Sequence, residues 1–185
     1  MTALLAILGG FAVLVLIVVS IYNSLVRKRT VTEEAWSSVD VQLKKRNDLI
    51  PNLVETVKRY ATHEKGLFEE VTRLRNLAGT TTTVAEQAAI QSQMTGLLGR
   101  LIAVAEAYPD LKANQNFQQL QTELSTLEQG IEMARRFYNG AVRNYNIACE
   151  TFPSNIIAGM FGFKKRDLFE LTSAEERNVP KVSFQ

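Results

Sequence analysis

Apolar residues fall at unbroken three-four spacing from Phe117 to Phe152. Phe117, Leu124, Ile131, Tyr138, Tyr145 and Phe152 recur every seven residues, and Leu120, Leu127, Ala134, Ala141 and Ala148 interleave with them. Five heptads without a slip predict one helix of roughly 35 residues, about 50 Å long. A helix with one apolar stripe must bury it against other helices, so the pattern predicts an all-α bundle of long helices. The interleaved set thins from Leu to Ala toward its C-terminal half, which lets a partner helix approach more closely there. No seam position supplies a nucleophile, a base or a metal ligand.

A second seam runs through Trp36, Val39, Leu43, Ile50, Leu53, Val57, Tyr60, Leu67, Val71 and Leu74, with Arg46 and Glu64 at core-type positions. Pro51 lies inside it and predicts a kink or restart, because proline lacks the backbone donor and clashes with the preceding turn. Asn47 or Asp48 has the chemistry to cap a restart, and Gly66 weakens the helix further along. Heptad phase survives both sites, which favours one long kinked helix over two separate ones. Ala78-Gly79 and Thr80–Thr83 read as a C-cap and a loop. Thr83 and Glu86 have capping-box spacing and open a helix through Met94, Leu97, Leu98, Leu101, Val104, Ala105 and Tyr108, which Pro109 stops. Asp110–Asn116 reads as a short connection, and short connections imply antiparallel neighbours.

Ala3–Ile21 carries no charge. At 1.5 Å per residue it covers roughly 30 Å, the thickness of a bilayer's hydrocarbon core. Tyr22 follows as an interfacial aromatic, then Arg27, Lys28 and Arg29 as a basic flank. A cleaved signal peptide would need a basic start and a small-residue cleavage site. Met1-Thr2 and Ser20-Ile21-Tyr22-Asn23 supply neither, so a retained single-pass helix is expected. Cys149, the sole cysteine, is too distant for a lipoprotein signal. The positive-inside rule places the N-terminus outside and the bundle in the cytoplasm, with the anchor in the inner (cytoplasmic) membrane.

The expected division is therefore an anchor with its basic flank at 1–29, a helical bundle at 30–153 and a tail at 154–185. The tail holds Ile156, Ile157, Ala158, Met160, Phe161 and Phe163 before Lys164-Lys165-Arg166. It either closes the bottom of the bundle, the plainer reading, or touches the membrane surface. Ala174–Gln185 reads as loosely ordered.

The chemistry available is sparse. A net charge of +2 with interspersed signs leaves no nucleic-acid footprint. One histidine, His63, and one cysteine are too few for a di-iron bundle or a usual zinc site, so no metal or cofactor is expected. Gly159-Met160-Phe161-Gly162 lacks the lysine of a P-loop, and no serine is nominated as a partner for His63. Cys149 sits one position past the Ala148 seam residue and reads as a small packing side chain. Tyr138-Asn139 and Tyr145-Asn146 repeat at seven residues and need hydrogen-bond partners if buried. Asp40, Arg46 and Asp48 are candidate partners. The layer reads as a register device before a ligand site, and Asp40, Arg46, Tyr138 and Asn139 are the best location for an enzyme's site if one exists.

Several strings also carry a family resemblance. They are Ala35-Trp36, the run from Asp40 to Lys58, Tyr60-Ala61 with His63-Glu64, and Tyr108-Pro109-Asp110-Leu111-Lys112-Ala113-Asn114 with Phe117. Ala134-Arg135-Arg136-Phe137-Tyr138-Asn139, Val142, Tyr145-Asn146, Phe152-Pro153-Ser154-Asn155, Ile157-Ala158 and Phe161-Gly162-Phe163 continue the match. Together they resemble the LemA family over nearly the whole chain, with Asn47 departing from a more usual histidine. The resemblance implies an N-terminal membrane anchor and an antiparallel up-and-down bundle of four helices, whereas one long kinked helix would give three passes; four passes return the tail to the membrane and three leave it far away. It implies no reaction. The expected function is a non-enzymatic scaffold whose bundle self-associates or organises membrane and protein partners. The alternative is a monomeric adaptor or signalling subunit for another membrane protein, such as a protease or transporter. Ala6, Gly9 and Gly10 offer a small-residue face, so Gly10→Leu is expected to weaken self-association.

Overall fold

The computed structural model describes residues 1–81 and 83–170, and the stretch Ala174–Gln185 lies outside them. Six helices and no strands are found among these residues: α1 (Thr2–Lys58), α2 (Lys65–Ala78), α3 (Val84–Glu106), α4 (Pro109–Lys112), α5 (Gln115–Glu150) and α6 (Ser154–Met160). The all-α expectation holds. The chain divides into two compact units, one of Met1–Val41 with Glu132–Leu168 and one centred on Gln42–Ile131, and both α1 and α5 contribute to each.

In the unit centred on Gln42–Ile131, four helical segments run antiparallel. Arg46 bonds to Glu128 while Tyr60 meets Asn114, so α1 and α5 traverse the unit in opposite directions. The apolar core joins Ile50, Leu53 and Val57 of α1 to Phe68, Val71 and Leu74 of α2. Met94, Leu98 and Leu101 of α3, Leu111 of α4, and Phe117 and Leu124 of α5 complete it. The Thr83 hydroxyl accepts from the Glu86 backbone N–H and donates to its carboxylate, so the expected cap opens α3. Pro109 begins the single turn of α4, so a helical turn stands inside the stretch expected to be a plain connection.

The expectation of one long kinked helix from Trp36 to Leu74 is corrected here. Helix α1 passes through Pro51 and ends at Lys58, and α2 begins at Lys65. Pro51 deprives the Asn47 carbonyl, four residues back, of its helical donor. Arg75 of α2 fills the gap, its Nε donating to that carbonyl at 3.0 Å. The reversal at 59–64 contains neither Gly nor Pro, and Ala61 within it is fully buried. Two helices folded back on a shared core can keep one heptad phase. Periodicity therefore does not separate a continuous helix from a hairpin. Tyr60, expected on the seam, is partly exposed at the reversal, and Glu64 precedes the first turn of α2.

In the unit of Met1–Val41 with Glu132–Leu168, the first part of α1 is apolar and exposed from Leu4 to Ile17. It is long and apolar enough to cross a membrane and is a candidate anchor. Beyond it, Leu25 is buried against Ile157 and Ala158 of α6. Tyr138, Val142 and Tyr145 of α5 are buried, whereas Phe152, expected to end the seam, lies past the helix and is exposed.

Candidate functional site

Two polar sites stand out, one in each unit. The first is a clasp that holds the tail in the unit of Met1–Val41 with Glu132–Leu168. After α6 the chain from Phe163 to Glu170 has no regular structure, so its backbone groups need partners other than a helix ladder. Asn146 supplies two of them: its Nδ2 donates to the Arg166 carbonyl and its Oδ1 accepts from the Arg166 N–H, both at 2.9 Å. Tyr138 Oη donates to the Asp167 carbonyl at 2.9 Å, and the Trp36 ring packs on Tyr138 with centroids 5.2 Å apart. Ion pairs from Arg166 to Glu33 and from Lys165 to Glu150 tie the same segment to α1 and α5.

At the other end of the clasp, Tyr22 meets Phe161 and Phe163 edge-on at 4.8 and 5.7 Å. The Arg29 guanidinium lies 5.4 Å over the Phe163 ring. Burial pushes the Tyr138 phenol above its ordinary value. Tyr145 is pushed up to about 12, by burial first and then by its hydrogen bond with Cys149.

The second site is a buried charge in the unit centred on Gln42–Ile131. Arg46 is 1% exposed, and its guanidinium donates to Glu128 Oε1 at 2.7 Å, to Thr95 Oγ1 at 3.0 Å and to Gln91 Oε1. Glu128 is 33% exposed, so water shares in its solvation. Arg46 Nε, Gln87 Oε1 and Gln91 Nε2 have no hydrogen-bond partner, which marks the layer as polar beyond what its pairs need. Arg46 thus links α1, α3 and α5 at one level.

These contacts correct the expected polar layer. Tyr138 and Asn146 serve the tail backbone, and Arg46 serves Gln91, Thr95 and Glu128. Asp40 and Asp48 are exposed. The buried side-chain contacts between helices are therefore made by Arg46 and its partners, while Tyr138 and Asn146 grip an extended segment. His63 is exposed, and no cluster of metal-ligating side chains occurs among the described residues.

Residues 35–184 match the family model described as LemA family. The chain belongs to the LemA family. It is 27% identical over 175 residues to magnetosome protein MamQ 2 of Paramagnetospirillum magneticum, covering 80% of this chain and 64% of that protein. Protein LemA of Metamycoplasma hominis is 26% identical over 161 residues, covering 86% of this chain and 71% of that protein. Magnetosome protein MamQ of Magnetospirillum gryphiswaldense is 24% identical over 174 residues, with 80% and 64% covered. The chain thus spans less than two thirds of the length of these magnetosome relatives. None of the names denotes an enzyme.

Many residues that carry the LemA resemblance prove to be parts of the two sites: Trp36, Tyr138, Asn146, Phe161 and Phe163 in the clasp, and Arg46 in the buried layer. Sequence reasoning missed Gln87 and Gln91. Their signal was present, because Gln87, Gln91, Met94, Leu98, Leu101 and Ala105 continue one three-four seam, and two glutamines on a core seam announce a polar layer. The bonds that Tyr138 and Asn146 make to Arg166 and Asp167 had no such signal, since the tail's side of them is backbone.

Proposed function

We propose that this LemA-family chain is a non-enzymatic, single-pass protein of the inner (cytoplasmic) membrane, with its N-terminus outside and its helical region cytoplasmic. Its helical region self-associates and so organises membrane or protein partners. The observation that carries this reading is a second stripe on α5. Met133, Phe137, Gly140, Asn144 and Ile147 follow four-three-four-three spacing and lie away from the buried seam, with Met133 67%, Phe137 60% and Ile147 53% exposed. Three large apolar side chains, Met133, Phe137 and Ile147, on an exposed helical face suit a helix from another copy, and Gly140 permits close approach. The relatives named for the magnetosome favour work in an organised assembly over turnover of a substrate.

Mass photometry of the full-length protein in nanodiscs tests this. The parent is expected as a discrete oligomer and Phe137→Glu as a monomer. Gly10→Leu separates association through the span from association through α5. A monomeric parent overturns self-association.

One observation favours the adaptor reading. A groove of about 870 Å³ between α1 and α2 is lined by Ile50, Pro51, Val54 and Phe68, with Lys58, Glu69 and Arg73 along it. An apolar base with charged edges suits an amphipathic helix of a partner. A monomer that captures one membrane protein, and loses it in Val54→Glu, would establish that reading instead.

A further inference from the structure

We infer that the outer face of α6, with the cations Arg27, Lys28 and Lys164, forms a second membrane contact seated in the interface of a bilayer containing anionic lipid. This rests on the reading of the apolar part of α1 as a span. The depth of α6 follows from its packing. Ile157 and Ala158 bury Leu25, and Val18, Ile21 and Tyr22 join the same apolar cluster. Val18 lies within the apolar stretch and Leu25 one turn beyond it. Helix α6 is therefore level with the point at which α1 leaves the hydrocarbon.

At that level α6 offers water no charge, and Asn155 is its one exposed residue with a polar side chain. Its sequence, Ser154-Asn155-Ile156-Ile157-Ala158-Gly159-Met160, contains no charge. While Ile157 and Ala158 face inward, Ile156 is 53% and Met160 71% exposed one turn apart, with Phe152 at 76% and Phe161 at 54% on either side. Four large apolar side chains exposed together are costly in water and favourable at the boundary between headgroups and acyl chains. Phe161 also packs edge-on against Tyr22, the aromatic that marks the end of the span, so the exposed face continues the membrane-facing surface of α1.

Charge gives the lipid class. Arg27 and Lys28, with Ser24 and Asn144, line a recess of about 290 Å³. Ser24 to Lys28 lie about 5–10 Å past Ile21 along the helix, within the headgroup layer. Arg27, Lys28 and Lys164 form no ion pair among the described residues, whereas the carboxylates of Glu33 and Glu150 are engaged by Arg166 and Lys165. The free cations in this region suit the phosphates of anionic headgroups.

Site-directed spin labelling of the full-length protein tests the contact. Labels are placed at Ile156→Cys, Met160→Cys, Leu14→Cys and Val41→Cys in a Cys149→Ala background, in phosphatidylcholine nanodiscs with and without phosphatidylglycerol. Circular dichroism first verifies that each variant is folded. Collision with oxygen should exceed collision with a nickel chelate at Ile156 and Met160, and the reverse should hold at Val41. Phosphatidylglycerol should deepen the first two labels, and Arg27→Gln with Lys28→Gln should abolish that shift. Aqueous labels at 156 and 160 with Leu14 in hydrocarbon overturn the contact and leave the anchor standing. An aqueous Leu14 overturns both. Spin–spin broadening at Ile156 assigns the face to a second copy and overturns the lipid proposal, and equal depth in both lipid mixtures overturns its charge component.

Discussion

Gln91 and Asn146 are both side-chain amides on long helices, yet they solve opposite problems. Gln91 lies in a side-chain layer in which Arg46 of α1 reaches two other helices, and Gln91 bonds a side chain there rather than a backbone group. Asn146 faces an extended segment whose backbone has no ladder, and it returns both a donor and an acceptor to one residue. The unit centred on Gln42–Ile131 therefore depends on side chains meeting side chains over a large apolar core. The unit of Met1–Val41 with Glu132–Leu168 has a small apolar cluster and holds its tail by side chains meeting backbone, with two ion pairs beside them. The first arrangement joins three helices through a buried charge, and the second ties the tail to the helices by neutral bonds to its backbone together with two exposed ion pairs.

The sharpest way to break this contrast is Glu128→Ala. It leaves the buried Arg46 charge without its carboxylate and is expected to cost about 3–5 kcal/mol in denaturant unfolding, the range for an uncompensated buried charge. Arg46→Met removes the charge and keeps apolar volume, so it should cost far less. Equal losses in the two variants would show that packing, not charge, governs the layer.

Asn146→Ala removes two bonds to Arg166 and should weaken tail docking by about 1–3 kcal/mol. Faster tryptic cleavage after Lys164 and Lys165, with little change in global melting, is the expected readout. A matching fall in global stability would mean that the tail and its unit unfold together. Tyr138→Phe removes one bond, to the Asp167 carbonyl, and should cost about 1 kcal/mol on the same assay.

Tyr145 sharpens the comparison through pH. Its folded value is raised from 10.0 to about 12, so the neutral phenol favours the folded state. That contribution is complete below 10.0 and is lost as the pH rises toward 12, because the unfolded phenol ionises first. Tyr145→Phe should flatten this alkaline decline in melting temperature, and an unchanged decline would assign it to other groups.

Much of the helical content was legible. The seam from Phe117, the Thr83–Glu86 cap and the apolar N-terminal helix all rest on local spacing or local chemistry, which a linear pattern records. The reversal at 59–64 was not legible, because heptad phase continues across it and no glycine or proline marks it. Pro51 misled for a related reason. A proline's missing bond is visible in the chain, but the Arg75 side chain that replaces it is supplied from another helix. The partners of Tyr138 and Asn146 escaped because Arg166 and Asp167 present backbone groups, which every residue type possesses.

The amino-acid order alone determined that this chain is helical, that its first helix begins with a stretch able to span a bilayer, and that it resembles the LemA family. Those properties follow from periodicity, hydrophobic length and motif, each a function of neighbours along the chain. Tertiary structure alone decided that four helical segments share one core, that Arg46 rather than the Tyr-Asn repeat forms the buried layer, and that α6 packs where α1 leaves its apolar stretch. Each of these depends on which distant groups satisfy a buried charge, an orphaned carbonyl or an unpaired backbone. Such choices are set by packing in three dimensions: the period puts Arg46, Gln87 and Gln91 on core seams but does not name the partners they meet.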